Sequence, residues 1–479
     1  MRHVLALGSA FAVTVVATVT MTASGCQGSG SSSDGNDAAV PTFGIDGSPE
    51  SSIKCDNLAC QIPTCVDLPA GTTLLGKVFD PSGGRPIYNA VVYVPNAPLA
   101  PMATGASCDR CDASHSGAPL RITTTDASGH FELNNVPEGD NIPLVVQLGK
   151  WRRTVTIANV PRCADTTINV NLPRNRTEGD IPRIALATGA ADALPCLLRK
   201  IGIDESEFGL AGSDARIHLY RGGGYDDSGT PRLASAGFAA GTAFPDAESL
   251  WNDPKSLAKY DAVFLACEGA DNDDAVHKSA AAKQALYDYA KAGGRVLATH
   301  HHHTFFSGSP DPAPKGVAQW SDRPGPAAGD PRTSSVDTDV ASSFPKATAL
   351  TFWLTQQKVL TSGKLPVVDA RHDVDGVNTG ALAWIQAANP SFPTAPAVQH
   401  VTFGAPINAP DAQVCGRVAF TNLHVGSLPE GALQDDATKP FPASCQTKTL
   451  TAQQKALEFL LFDLVSCAQP DGAKLVVPH

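Results

Sequence analysis

Residues 276–303 read "VHKSAAAKQALYDYAKAGGRVLATHHHH", which passes from a helix pattern to an apolar strand and ends in four histidines. Ala282, Leu286 and Tyr289 fall on one face of a helix, and Gly293 is suited to end it. "RVLAT" follows at once, and a short apolar run of this kind predicts a buried strand. The histidine run, His300 to His303, therefore begins at the carboxyl end of a strand, where open α/β sheets form their ligand sites.

The same alternation of strands and helices continues over residues 183–468. A capping box, Thr451-x-x-Gln454, opens the last helix. Strands that alternate with helices predict a parallel sheet covered on both faces. We expect the further strands to be "RIALAT" (183–188), "ARIHLYRG" (215–222), "YDAVFLACEG" (260–269) and "GRVAFTNLHV" (416–425).

Within this region, residues 307–397 are rich in proline, glycine and aspartate. That composition favours loops and turns over regular elements. We therefore expect an insertion with few helices or strands there, and a C-terminal tail over residues 469–479.

Residues 70–172 have a different pattern, in which short β-branched runs are separated by turn signals. "TTLLGKVFD" runs into "PSGG", and "LRITTTD" runs into "DASG", where Asp126 and Gly129 suit the first and last positions of a turn. Strands this short at this spacing predict an all-β sandwich. Residues 173–182 would then link the sandwich to the α/β region, which makes the chain multidomain.

Four segments of the predicted sandwich resemble the carboxypeptidase regulatory-like family, which has a transthyretin-like sandwich. They are Gly76-Lys77-Val78 with Asp80, Ala90-Val91-Val92, the stretch from Thr125 to Phe131, and Val136-Pro137-Glu138-Gly139. The resemblance implies an accessory module without catalytic groups. An insertion from Asn96 to Pro119 departs from the family pattern.

The α/β region resembles the class I glutamine amidotransferase-like fold, including its ThuA-like relatives, which implies a flavodoxin-like parallel sheet. The matching stretches are "KYDAVFLACEGAD" (259–271), "GGRVLATHHHH" (293–303) and "VAFTNLH" (418–424). The resemblance implies that the nucleophile bend is occupied by Thr299-His300-His301, with no thiol, and that His424 takes the position of the base. Cys267 would lie in an oxyanion-side loop, where we expect it to be simply buried. Glutamine hydrolysis is therefore not expected.

The histidines could instead hold a metal ion. In an extended chain His300 and His302 project to the same side, and His424 should lie at the same edge of the sheet. These three residues could bind zinc or another divalent metal and leave one position open for a water molecule. Asp373 would be a carboxylate ligand or partner, and Glu268 the general base. The alternative is a partly solvated run that binds metal adventitiously or not at all, because four consecutive histidines cannot all face one site.

The N-terminus predicts export. Residues 1–25 have a basic start, an apolar run and small residues, which is the pattern of a signal peptide. Ala23-Ser24-Gly25-Cys26 resembles a lipobox, which implies lipidation of Cys26 and attachment to a membrane; ordinary secretory cleavage nearby is the alternative. Residues 26–53 are a Gly/Ser/Asp-rich flexible tether, and no other segment is apolar for the ~20 residues of a membrane helix.

Of the twelve cysteines, all except the lipidation candidate Cys26 are disulfide candidates first in an oxidising envelope. Removing Cys26 leaves an odd number, so at least one thiol is free or pairs between chains. Cys108 and Cys111 have the CxxC spacing of zinc and redox motifs, but without a second such pair a disulfide within this loop is the preferred interpretation. The segment 54–69 is cysteine-rich. The ten candidates for disulfide bonds are Cys55, Cys60, Cys65, Cys108, Cys111, Cys163, Cys196, Cys415, Cys445 and Cys467.

The net charge of −11 comes without a basic patch, so nucleic acid is not an expected partner. We expect an exported, lipid-anchored protein of a bacterial cell envelope, on the periplasmic or the outer-membrane side. Its function would be to bind a carbohydrate polymer or a surface protein, or to support the envelope structurally. The alternative is a metal-dependent envelope hydrolase that uses the clustered histidines.

Overall fold

The computed structural model describes residues 55–66, 69–189, 191–223, 242–331, 334–425 and 449–472. These residues belong to one compact unit that begins at Cys55. The predicted signal peptide, the tether and the lipidation site Cys26 lie outside the described residues. None of the described helices has the length and apolar character that crossing a membrane would require.

The first eight strands of the described residues form two four-stranded sheets. In one sheet the order is β3-β2-β5-β6 and all pairs are antiparallel; in the other, β1 lies between β4 and β7 and also pairs with β8. The strands are β1 (Thr73–Phe79), β2 (Val91–Pro95), β3 (Pro119–Thr124), β4 (His130–Leu133), β5 (Gly139–Leu148), β6 (Trp151–Val160), β7 (Asp165–Thr167) and β8 (Val170–Asn171). The turn before β4 is confirmed, since the Asp126 carboxylate accepts hydrogen bonds from the backbone N–H groups of Ser128 and His130.

The remaining strands form a ten-stranded sheet and a separate pair. They are β9 (Ile184–Thr188), β10 (Phe208–Gly209), β11 (Ile217–Arg221), β12 (Ala262–Leu265), β13 (Arg295–Thr299), β14 (Ala318–Arg323), β15 (Ser335–Val340), β16 (Leu365–Val368), β17 (His372–Val377), β18 (Ala381–Ala387), β19 (Ala397–Ala405) and β20 (Gly416–Thr421). The large sheet has the order β10-β11-β9-β12-β13-β20-β19-β18-β15-β16, and β14 pairs with β17. The six strands from β10 to β20 in this order are parallel, as predicted, and the other four are antiparallel.

The helices lie between these strands. They are α1 (Leu194–Lys200), α2 (Glu248–Trp251), α3 (Pro254–Leu257), α4 (Ala280–Lys291), α5 (Thr304–Ser307), α6 (Pro312–Gly316), α7 (Pro345–Gln356) and α8 (Ala452–Val465), with 3₁₀ turns at Asn57–Gln61, Glu205–Glu207, His300–His303 and Asp411–Gln413. The predicted helix before β13 and the capping box of α8 are both confirmed, since Thr451 accepts from the N–H of Gln454 and Gln454 reaches back to Thr451.

The expectation of few regular elements over residues 307–397 is wrong. This segment contains α6, α7 and the strands β14 to β18, three of which extend the large sheet. Its prolines and glycines lie mainly in the connections, and a strand such as β15 is largely solvated, with only Thr338 buried. Short, half-polar strands of this kind carry little apolar periodicity, so average composition conceals them.

Helix α8 joins the two parts of the chain, because twelve of its fourteen residues are buried. On one side Phe462 packs edge-on against Trp151 of β6, at 5.9 Å between ring centroids, and Phe459 stacks on Tyr88 at 5.6 Å. Its two acidic groups are paired: Glu458 with Arg85, which lies between β1 and β2 in the chain, and Asp463 with Arg417 of β20. A helix that is buried on nearly every side requires cover on every side, and here both parts of the chain supply it.

Disulfide bonds also connect the N-terminal sheets to the α/β region near the end of α8. Cys108 pairs with Cys415 and Cys111 pairs with Cys467, so the expected disulfide within the CxxC loop is wrong. The loop lies against the end of α8, where the backbone N–H of Cys111 donates to the carbonyl of Ala468, and this brings each cysteine to a partner from the α/β region.

The other described cysteines complete the pattern. Cys55 pairs with Cys60, Cys65 pairs with Cys163, and Cys196 is also disulfide-bonded, whereas Cys267 is a free, buried thiol. A free cysteine agrees with the odd count in the sequence. The candidate Cys445 lies outside the described residues.

Replacing Cys111 and Cys467 together by serine should lower the free energy of unfolding by about 2–5 kcal/mol, because, with Cys108–Cys415 intact, the bond still closes a loop made of residues 108–111 and 415–467 in the unfolded chain. The two residues are 356 positions apart. Denaturant titration measures the loss. The matched control is the Cys55→Ser, Cys60→Ser variant, whose bond spans five positions and should cost less; an equal or larger loss in the control would contradict the prediction.

Candidate functional site

Four neighbouring parallel strands deliver polar side chains to one edge of the large sheet. Asp192 follows β9, Cys267 follows β12, His300 follows β13, and His424 follows β20 by three residues. Parallel strands share their carboxyl ends, so these residues meet at the same edge. All four are buried, at 7% exposure or less.

His300 lies on a tight bend. Its φ is +41°, a left-handed conformation that is uncommon for residues other than glycine. It directly follows the last residue of β13 and is the first residue of the 3₁₀ turn. This is the position at which the resemblance to amidotransferase-like proteins implies a nucleophile bend. Its occupant is an imidazole, as the sequence indicated. Burial, followed by the neighbouring His424, holds the pKa of His300 far below its usual range.

Cys267 contacts this imidazole directly. Its Sγ lies 3.3 Å from Nδ1 of His300, and its backbone N–H donates to Oγ1 of Thr299 at 2.7 Å. The side chain is fully buried, as expected, and burial raises the pKa of the thiol to about 12. A thiol with such a pKa is protonated at neutral pH, and the protonated form is a poor nucleophile.

His424 reaches the same point from β20. Its ring is 5.2 Å from that of His300 between centroids and perpendicular to it, and its Nδ1 lies 3.7 Å from a carboxylate oxygen of Asp369. Neither ring nitrogen has a hydrogen-bond partner among the described residues. The carboxylate of Asp192 accepts from the N–H of Val425 and interacts electrostatically with His424; burial raises its pKa.

His302 does not join this group. The predicted pairing of His300 with His302 requires an extended backbone, but residues His300–His303 form a 3₁₀ turn, so the two side chains point in different directions. Nε2 of His302 donates to the carbonyl of Ala266 at 3.0 Å, and its ring packs against Trp251 and Phe305. Burial lowers the pKa of His302 to about 3, so it is a neutral core residue.

The other two histidines of the run face Asp271. Nδ1 of His301 lies 2.7 Å from the Asp271 carboxylate, and Nε2 of His303 lies 3.6 Å from it. These two imidazoles hold the pKa of Asp271 well below its usual range. The four histidines thus have three different environments, which agrees with the expectation that they cannot all face one site.

Glu268, the predicted general base, is fully engaged. Its carboxylate is ion-paired with the buried Lys278 at 3.1 Å and accepts hydrogen bonds from Asn272 and from the N–H of Gly223. Burial raises its pKa, but the electrostatic interactions with His302 and Lys278 and the hydrogen bond from Asn272 outweigh that effect, and the net pKa is lowered. A carboxylate with this many donors is poorly suited to accept a proton.

Asp373, the predicted carboxylate partner, does reach the site. Its Oδ2 lies 3.7 Å from Nε2 of His300, and burial raises its pKa to about 6. The preceding His372 is turned away, towards Asp375 at 3.0 Å and Asn389 at 2.8 Å.

The structure therefore brings together His300, His424 and Asp373 of the predicted residues, leaves out His302 and Glu268, and adds Cys267. Sequence reasoning also missed Asp192 and Asp369. Asp192 lies four positions after β9, and Asp369 lies one position after β16. An acidic residue just beyond a buried strand was the sequence signal that could have identified each of them.

Comparison with known proteins gives limited similarity. No protein-family model and no curated protein matches the chain. Solved structures similar to it include a ThuA-like protein from Bacteroides uniformis, with a TM-score of 0.31 and 9% identity over 54% of this chain and 88% of that one. A glutamine amidotransferase from Methylobacillus flagellatus has a TM-score of 0.29 and 11% identity, and covers 62% of this chain and 99% of its own. The major pilin subunit of Bacillus cereus has a TM-score of 0.14 and 10% identity, and the match covers 22% of this chain and 30% of that one.

The burial of Cys267 predicts its reactivity. In folded, metal-free protein, iodoacetamide should leave Cys267 unmodified, because the thiol is inaccessible and its pKa is about 12. In denaturant without reductant it should be modified completely, while the disulfide-bonded cysteines serve as the internal control. Peptide mass spectrometry measures both states. Rapid modification of Cys267 in the folded protein would contradict the buried, protonated assignment.

Proposed function

We propose that this chain is an exported, lipid-anchored protein of a bacterial cell envelope that binds a carbohydrate polymer there. In this proposal the two N-terminal sheets are a carboxypeptidase regulatory-like sandwich, and the ten-stranded sheet is an amidotransferase-like, flavodoxin-like domain. The ligand binds in a polar cleft at their junction.

The disulfide bonds support the proposed location in a cell envelope. Four pairs of described cysteines are bonded, and such bonds persist in oxidising surroundings such as a bacterial envelope. The apolar N-terminal segment ending in Cys26 supports export and lipidation. A lipid-modified N-terminus followed by a flexible tether would hold the folded part near the membrane surface.

The single observation that carries the binding proposal is the cleft itself. Its volume is about 160 Å³, and it lies between the CxxC loop and the sheet of β2 and β5. The lining includes His115, whose Nδ1 has no hydrogen-bond partner among the described residues, together with Asp109 and Gln147. Hydroxyl groups of a sugar both donate and accept hydrogen bonds, so they suit a lining of imidazole, carboxylate and amide groups.

The rigidity of this cleft also supports binding. One wall is the loop held by Cys108 and Cys111, and Cys467 is part of the lining. A wall that is fixed by two covalent bonds loses little conformational freedom when a ligand binds.

The geometry of the histidine edge argues against an amidotransferase. Glutamine hydrolysis of that class needs an ionisable thiol at the bend, but the bend residue is His300 and the nearest thiol, Cys267, is buried and protonated. The alternative of a hydrolase that binds metal through His300, His302 and His424 lacks support from the described geometry, because His302 faces the core.

Replacing Cys26 by alanine should move the protein from the membrane fraction to the soluble envelope or culture fraction, because the lipid attachment site is lost. Fractionation followed by immunoblotting measures the shift, and incorporation of labelled fatty acid reports the lipid directly. The control is Cys267→Ala, which should leave fractionation unchanged. Membrane association of the Cys26→Ala protein would contradict lipid anchoring.

Replacing His115 and Gln147 together by alanine should weaken binding to isolated envelope polysaccharide by about 5- to 150-fold, since each lost hydrogen bond contributes about 0.5–1.5 kcal/mol. Co-sedimentation with the insoluble polymer measures the affinity. Thr379→Ala, in a separate cleft of about 360 Å³, is the matched control and should bind like the wild type. Binding only to protein-containing envelope that protease abolishes would overturn carbohydrate as the ligand.

A further inference from the structure

Three metal-binding side chains converge at the carboxyl ends of β12, β13 and β20. One ligand atom each from Cys267, His300 and His424 lie within 4.8 Å of one another, and all three residues are buried. The Sγ of Cys267 and Nδ1 of His300 are 3.3 Å apart. In a tetrahedral zinc site with bonds of about 2.3 Å to sulfur and about 2.0 Å to nitrogen, neighbouring ligand atoms are about 3.5 Å apart. This pair already has the spacing of two ligands of one ion.

The unpartnered ring nitrogens of His424 are an independent indication of a metal site. Its side chain is 1% exposed, yet neither ring nitrogen has a hydrogen-bond partner among the described residues. Burying an imidazole without partners is unfavourable, because its polar atoms lose their hydrogen bonds to water and gain nothing in return. A metal ion bound to one of these nitrogens would supply the missing interaction.

A carboxylate lies behind each imidazole. Asp373 is 3.7 Å from Nε2 of His300, the nitrogen away from Cys267, and Asp369 is 3.7 Å from Nδ1 of His424. Histidines that bind metal usually direct their second nitrogen to a carboxylate or a carbonyl, which fixes the ring and the tautomer. The arrangement leaves Nδ1 of His300 and Nε2 of His424 for the ion.

We propose that Cys267, His300 and His424 bind one divalent transition-metal ion, with zinc as the ion that their chemistry fits best. A thiolate and two imidazoles select zinc and similar metals over magnesium and calcium, which prefer oxygen ligands. The positive charge of the ion would also offset the buried thiolate and the adjacent carboxylates. Three protein ligands leave one coordination position for a small molecule. This site goes beyond the carbohydrate-binding function and does not depend on it.

The test uses the full mature chain, expressed without a histidine tag and purified without chelator. Elemental analysis should find close to one equivalent of zinc per chain. After removal of the metal, titration with Co²⁺ should produce the near-ultraviolet charge-transfer absorption of a cobalt–thiolate bond. Among the described residues only Cys267 offers a free thiol, so the band should be absent from the Cys267→Ser variant. The measurement needs no knowledge of the activity.

Single substitutions show which side chains bind the metal ion. Cys267→Ser and His424→Ala should each lower zinc affinity by well over tenfold, because even the partners of metal ligands contribute 10–100-fold. The matched controls are His301→Ala and His303→Ala, which remove histidines of the same run that face Asp271. Both controls should retain full metal content, and circular dichroism checks that every variant is folded.

Two results would overturn the proposal. Zinc content that is lost in the His301 and His303 variants but kept in Cys267→Ser would mean adventitious binding by the histidine run. A wild-type protein that gives no cobalt–thiolate band would exclude Cys267 as a ligand. Either result would leave carbohydrate binding at the junction cleft unaffected, since that cleft contains none of the three ligands.

Discussion

The burial of α8 is the constraint on which the rest of the structure depends. This helix is the last that the structure describes, yet it is buried almost all the way round and lies between the N-terminal sheets and one face of the ten-stranded sheet. Its aromatic side chains reach Trp151 and Tyr88, and its two acidic residues are neutralised by Arg85 and Arg417. Leaving either side of α8 uncovered would expose apolar surface and leave a buried charge unpaired, so neither part of the chain completes its core alone.

This arrangement also fixes the edge where the polar residues gather. Helix α8 covers the sheet on one face, and α4 covers it on the other, so the central strands are buried and only their ends can carry accessible chemistry. The side chains after β9, β12, β13 and β20 are therefore brought together by strand order, although they are far apart in sequence. Asp192 and His424, for example, are neighbours because β9 and β20 are separated by only two strands.

Much of the fold could be predicted from the sequence, because the central strands are short apolar runs next to clear helix signals. The parallel strands, the helix before β13 and the cap of α8 are of this kind. The strands after residue 307 were missed, since their apolar positions are few and their faces are half solvated. Cysteine pairing could not be deduced, because connectivity depends on which loops the tertiary packing brings together.

The sequence predicted the correct edge of the sheet for the site, but it did not predict every residue of the site. A histidine run at a strand end indicated the correct edge, and His300, His424 and Asp373 do meet there. The choice of His302 over Cys267 assumed an extended chain after β13. The tight bend at His300 instead begins a 3₁₀ turn and sends His302 into the core. The backbone conformation of His300 thus decided which side chains meet at the site. The alternation of side chains along an extended strand does not predict such a bend.

The two bonds of the CxxC loop have a further consequence for biosynthesis. Cys108 and Cys111 emerge early, but their partners are 307 and 356 residues further along. Neither correct bond can close until nearly the whole polypeptide has been made, and meanwhile both thiols are close in sequence to Cys55, Cys60 and Cys65. The early thiols must therefore stay reduced, or exchange any wrong partners, before the native bonds form.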